Sequence, residues 1–171
     1  MTIGFYHRQH RLGDLLFGIG SAFTGNTLLA TSLQSEPRKA RGDIARLLGS
    51  SLSARTTGLS SFEEEIDRYL RGEPVRWQTP FDLPHSTDFQ RQLWLALSRV
   101  PTGKTVTYGE IAMKSGSPRG ARAAGQACGK NPLPLRIPCH RVVSADGRIG
   151  GFTGDLEVKR ALLRLEGVHL P

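Results

Sequence analysis

The chain has 171 residues, of which 38% are hydrophobic and 20 are glycine. That size and composition fit one globular domain or two small ones and exclude a disordered tail or a fibrous chain. Its 23 lysines and arginines outnumber 15 acidic residues, and the excess is one-sided: residues 1–85 hold 10 basic and 9 acidic side chains, residues 86–171 hold 13 and 6. A basic excess confined to one half is the footprint of a polyanion partner, with plain solubility as the alternative.

Residues 1–11 contain no apolar run, so no secretory signal is expected. The most apolar stretch, residues 15–23, is broken by Gly18 and Gly20 and is far short of the roughly 20 residues that span a bilayer. Cys128 and Cys139 are too few for a disulfide framework and lack zinc-ligand spacing. A reducing compartment is therefore expected, the cytoplasm or, in a eukaryote, the nucleus.

In chain order, short strands are predicted at 3–7, 15–19 and 28–33, separated by Gly13, Gly20 and the Gly25-Asn26 turn. A helix over 40–48 carries Ile44, Leu47 and Leu48, and one over 62–70 carries Phe62, Ile66, Tyr69 and Leu70 behind the possible caps Ser60 and Ser61. Gly72-Glu73-Pro74 closes it, and Pro80 to Pro84 reads as a linker. The expected division is an α+β domain over 1–82, followed by a mostly helical domain over 83–171. His7, His10 and His85 are expected at the surface.

Thr87 and Gln90 form a capping-box pattern ahead of Phe89, Leu93, Trp94, Leu97 and Val100 on one helical face. Val106 to Tyr108 is read as extended, 109–114 as a short helix, and a second helix is expected to open at Pro118. Two short helices with a turn between them make a helix-turn-helix candidate. Seven of the ten residues over 120–129 are glycine or alanine, with Arg122 as the one long cation among them. So thin a helix can either pack tightly on a neighbour or approach the narrow minor groove, about 6 Å wide.

Residues 133–137 are read as extended, leading into Pro138-Cys139-His140-Arg141. In a strand Cys139 and His140 would point to opposite sides, whereas Pro138 makes a turn plausible. A thiol with pKa about 8.5 needs a base or a positive environment to act as a nucleophile. Cys128 is read as a small buried hydrophobe. Asp155 is placed to cap a last helix bearing Leu156, Leu162, Leu163 and Leu165. Glu166 falls in its last turn, where the helix dipole disfavours a carboxylate; it is either solvated or held by a partner such as His140.

Ala121-Arg122-Ala123-Ala124-Gly125, Asn131-Pro132, Ile137-Pro138-Cys139-His140-Arg141-Val142-Val143, Gly150-Gly151-Phe152-Thr153-Gly154 and Leu162-Leu163-Arg164-Leu165-Glu166-Gly167 stand in the order and spacing of the O6-alkylguanine-DNA alkyltransferases. The chain resembles that family densely over about residues 87–167. The resemblance implies a ribonuclease H-like N-terminal domain and a winged-helix, helix-turn-helix C-terminal domain. It implies a DNA repair protein that takes the alkyl group of O6-alkylguanine, with O4-alkylthymine as a further candidate, onto Cys139 in a single turnover. His140 would be the base acting through a water, Glu166 its orienter, Asn131 the residue fixing the active-site turn and Tyr108 the proton donor to the departing guanine. Arg122 would enter the base stack from the minor groove of duplex DNA, with Ala121, Ala123 and Gly125 beside it. Pro134, Val142, Phe152 and Thr153 would line the base pocket.

The resemblance implies no cofactor. Some members hold a structural zinc in the first domain, but residues 1–85 contain no cysteine and no metal is expected. A monomer is expected, able to cluster on DNA. Ala124, Phe152 and Asp155 depart from the family's usual Val, Tyr and Gly. The competing readings are a winged-helix regulator or lesion sensor without transfer, which gives the Cys-His-Glu set no purpose, and a thiol hydrolase, which leaves the charge split unexplained.

Overall fold

The computed structural model describes residues 2–83, 85–152 and 154–170. The chain is mixed α/β and divides into two compact units, 1–85 and 86–171.

The first unit is built on a four-stranded sheet ordered β3-β2-β1-β4, where β1 is Gly4–Leu12, β2 Leu15–Thr24, β3 Thr27–Ser32 and β4 Ser53–Ala54. The first three strands are antiparallel and β4 runs parallel to β1. Gly13 and Gly25 take positive φ in the two hairpin turns, where a side chain would be strained. Strands β1 and β2 run several residues past the predicted ends because their ladder is unbroken from Gly4↔Phe23 to Leu12↔Leu15.

Helix α1 (Pro37–Leu48) buries Ala40, Ile44 and Leu48 against Phe5, Ala22 and Ala30. Helix α2 (Ser60–Leu70) is reached from β1 by Arg8, which pairs with Asp67 and, at 3.4 Å, with Glu63. Successive strand residues point to opposite faces, so Phe5 and Arg8 place α1 and α2 on opposite sides of the sheet. The cap expected at Ser60 or Ser61 is not made: both lie inside α2, and Leu59 precedes it without a side-chain hydrogen bond.

His10 also departs from expectation. It is 6% exposed, packed against Phe17 with ring centroids 6.1 Å apart, and burial lowers its pKa to about 4. It sits on the face α2 covers, so its neutral ring serves as core. His85 is exposed, and His7 is half-buried with Nε2 2.8 Å from the Gln34 carbonyl. The stretch read as a linker is stitched to β3, since Leu28 N–H donates to the Pro80 carbonyl and Asp82 N–H to that of Leu28; Pro84 lies outside the described residues. The buried Glu65 carboxylate accepts the N–H groups of Gln78 and Thr79, tying this stretch to α2.

The second unit contains α3 (Asp88–Leu97), α4 (Tyr108–Lys114), α5 (Ala121–Gly129) and α6 (Leu156–Leu165), with a two-residue parallel ladder of β5 (Val106–Thr107) and β6 (Val142–Val143). Thr87 and Gln90 form the expected capping box, and Thr107 and Glu110 form a second. Leu93, Leu97, Ile111, Leu133, Ile137 and Leu162 are fully buried. Trp94 on α3 donates its indole N–H to the Ala127 carbonyl on α5, 3.0 Å away.

Two expectations are corrected here. Helix α5 starts at Ala121, after Gly120, not at Pro118. Residues 133–137 form a compact turn instead of an extended run: Leu135 has φ 75°, and Ile137 N–H reaches the Leu133 carbonyl at 2.7 Å. Pro134 blocks a ladder by lacking an N–H, and the side chain of Asn131 supplies the hydrogen bonds that close the turn.

Candidate active site: a buried thiol on a small cleft

Asn131 follows α5 and faces the turn with both ends of its amide. Its nitrogen donates to the Ile137 carbonyl at 2.8 Å and its oxygen accepts Leu133 N–H at 3.0 Å. The same amide favours the Cys139 thiolate. Beyond Pro138, residues Cys139–Arg141 form one 3-10 turn. At three residues per turn, successive side chains diverge by about 120°, which lets neighbours serve different partners. Cys139 lines a cleft of about 320 Å³ together with Tyr108, Gly125, Cys128, Gly129, Gly151 and Phe152. His140 and Arg141 turn instead to Glu166 at the end of α6.

Glu166 is a buried hub. Its Oε1 lies 2.9 Å from His140 Nε2 and 2.8 Å from Arg141 Nη2, and Oε2 accepts from Arg141 Nε at 2.9 Å and from Gly103 N–H at 3.2 Å. Arg141 also donates to the Val100 carbonyl at 2.5 Å and the Thr102 hydroxyl at 3.1 Å. A carboxylate only accepts, so His140 must carry its proton on Nε2, leaving Nδ1 as the basic nitrogen. Desolvation lowers the His140 pKa despite the Glu166 carboxylate, which keeps the ring neutral at physiological pH.

Burial pushes the Cys139 thiol up, opposed by the Asn131 hydrogen bond, the Lys159 charge and the backbone N–H groups of Cys139 and His140. At rest the site therefore holds a thiol beside polar groups that stabilise the thiolate once it forms. Tyr108, at the start of α4, donates to the Gly151 carbonyl at 3.2 Å; burial raises its pKa, so the phenol keeps its proton.

Lys159 and Arg141 were not expected at the site. Lys159 is fully buried on α6, donates to the carbonyls of Val142 at 2.7 Å and Gly151 at 3.0 Å, and lies 5.9 Å from the Phe152 ring centroid. Burial lowers its pKa to about 8. A signal existed: Lys159 stands three and four residues before Leu162 and Leu163, on the buried face of its helix.

The Lys159 ammonium favours the Cys139 thiolate, so Lys159→Met is expected to raise the thiol pKa further and slow its reaction with iodoacetamide at pH 7 by about tenfold, one pKa unit. The difference should shrink above about pH 8, where wild-type Lys159 itself loses its proton. A pH–rate profile that Lys159→Met leaves unchanged would contradict this reading.

Of the other expected residues, Phe152 and the half-buried Gly125 line the cleft, and Ala121, Arg122 and Ala123 are exposed. Val142 is buried with its carbonyl held by Lys159, and neither it nor Pro134 is among the lining residues. Thr153 lies outside the described residues.

A two-unit α/β protein with a buried cysteine on a small cleft, next in the chain to a neutral histidine held by a carboxylate, is the class this fold and site define. The 6-O-methylguanine DNA methyltransferase DNA-binding domain model matches residues 88–168. The solved Mycobacterium tuberculosis OGT in complex with DNA superposes with a TM-score of 0.78 at 33% identity, over 94% of this chain and 91% of that one. The chain belongs to the methylated-DNA–protein-cysteine methyltransferase family.

The archaeal O6-methylguanine-DNA methyltransferase of Pyrococcus kodakaraensis superposes with a TM-score of 0.81 at 27% identity, over 96% of this chain and 99% of that one. The curated Mycobacterium tuberculosis methylated-DNA–protein-cysteine methyltransferase is 44% identical over 108 residues, 63% of this chain. The aligned part spans 65% of that relative's length.

Proposed function

We propose that the chain repairs DNA by direct reversal, moving the alkyl group of O6-alkylguanine in duplex DNA onto its own Cys139. The observation that carries this reading is a buried thiol facing a base-sized cleft while the adjacent His140 is held by Glu166. Cleft volume of about 320 Å³ lies at the small end of ligand pockets, enough for one base. His140 Nδ1, through a water, takes the thiol proton. The sulfur attacks the alkyl carbon, the carbon–O6 bond breaks, and Tyr108 supplies a proton to the departing guanine. The thioether left on Cys139 has no route back to a thiol, so each chain reacts once. O4-alkylthymine is the second candidate substrate.

The first unit is assigned a ribonuclease H-like fold and a supporting role, and the second a winged-helix, helix-turn-helix fold that binds DNA. Exposed Ala121, Arg122 and Ala123 on α5 form the contact with the minor groove. Arg122 enters the stack as the lesion nucleotide swings out, a step that costs a few kcal/mol and less for a base whose pairing is already damaged. Gly125 lets the extruded base approach Tyr108, since a Cβ there would stand 3.8 Å from the ring. Phe152 is assigned to the pocket wall, Val142 and Pro134 to its support. The protein acts as a monomer, without metal or cofactor, in the cytoplasm or nucleus.

The test is incubation with a duplex carrying O6-methylguanine labelled on the methyl carbon. One label per chain on the tryptic peptide 137–141 is expected; turnover beyond one, or label only in solution, overturns the proposal. Arg122→Ala is expected to slow transfer from duplex by about 10²-fold, the equivalent of roughly 3 kcal/mol lost from nucleotide extrusion. Reaction with a free O6-alkylguanine base should change little. Equal losses on both substrates would remove Arg122 from the extrusion step.

A further inference from the structure

Cys128 is a second sulfur on the wall of the same cleft, and the transfer reaction makes no use of it. It is 7% exposed, one residue from the end of α5, between the cleft-lining Gly125 and Gly129. Asn131 stands next to both cysteines: it donates its backbone N–H to the Cys128 carbonyl at 3.1 Å, and its side-chain amide favours the Cys139 thiolate. Tyr108 and Lys159 each interact electrostatically with both sulfurs. Both thiols therefore open on one small space, with a cation beside them.

We propose that Cys128 is a resolving thiol, and that Cys128 and Cys139 close into an intramolecular disulfide when the protein meets hydrogen peroxide. The Cys139 sulfur, its proton taken by His140, attacks a peroxide oxygen; the O–O bond breaks, giving a Cys139 sulfenic acid and one water. The Cys128 sulfur then attacks the sulfenic sulfur, an S–S bond forms, and the hydroxyl leaves with the Cys128 proton as a second water. Two thiols are oxidised by two electrons and one peroxide is reduced to two waters. The high pKa of Cys128 slows the second step in bulk terms, but a partner held in the same cleft has a high effective concentration. Closure would shelter Cys139 from irreversible sulfinic and sulfonic oxidation, and a thiol reductant would reopen it.

The test uses the full chain and reads sulfur chemistry alone, so it stands or falls separately from the alkyl-transfer proposal. After brief peroxide treatment, free thiols are blocked and the protein is digested with trypsin. Wild type should lose the mass of two hydrogens, yield peptide 123–130 linked to peptide 137–141, and recover both thiols with dithiothreitol. Cys128→Ser and Cys128→Ala should instead carry Cys139 on to the sulfinic acid, which dithiothreitol does not restore. Linked chains instead of linked peptides, or sulfinic Cys139 forming in wild type as fast as in both variants, would overturn it.

Discussion

Cys139→Ala is expected to abolish alkyl transfer altogether while leaving the second unit folded. The side chain is 5% exposed, and shortening it by one sulfur atom should reduce stability by about 1 kcal/mol. The Asn131 hydrogen bonds that close the 133–137 turn go to backbone groups, so the turn does not need the thiol. Cys128 shares the cleft but does not replace the lost nucleophile. Burial pushes its pKa up to about 12, leaving roughly one part in 10⁵ as thiolate at pH 7, and the neutral base belongs to the turn that carries Cys139. Label retained on the protein after Cys139→Ala, on peptide 123–130 for example, would show that the site has two acceptors.

Glu166→Gln should produce the next largest effect, in two separable measurements. The substitution keeps the volume and removes the charge. Arg141, 5% exposed, then becomes a buried cation whose carboxylate partner is gone, a change that typically destabilises by about 3–5 kcal/mol; the midpoint of urea unfolding reads this. The second loss is chemical. Where the carboxylate accepts only, the glutamine amide can donate to His140 Nε2, which moves the ring proton to Nδ1 and removes the base. Single-turnover transfer, measured where the variant is still folded, should slow by about 10²–10⁴-fold. A stable variant with unchanged transfer would mean that Glu166 only fills space.

The sequence was most legible where local chemistry decides the outcome. Thr87 and Gln90 announce their capping box, Asp155 caps α6 by accepting Glu157 N–H, and the Gly25-Asn26 turn ends β2. Glu166 could be flagged as a misplaced carboxylate before its partners were known, and His140 was among the two readings given for it. Legibility failed where long-range contacts decide. His10 alternates along β1 like a surface residue, yet α2 covers that face. Residues 133–137 look extended until Asn131 closes them. Nothing in the sequence singles out Arg141 or Lys159 as a buried charge, because only the fold brings one to Glu166 and the other to the carbonyls of Val142 and Gly151. Sequence reading singles out Cys139 readily; the buried charges near it come from elements distant along the chain.

The short β5–β6 ladder has a mechanical consequence. Val106 pairs with Val142 and Thr107 with Val143; Tyr108 follows immediately on one side, and the turn carrying Cys139 ends immediately before the other. Two residue pairs thus act as a spacer block that fixes the gap between phenol and sulfur. A slip of one residue would displace one strand by about 3.3 Å, more than a hydrogen bond tolerates. A single deletion at 142 or 143 would therefore shift the sulfur against the phenol even where every side chain of the site is kept.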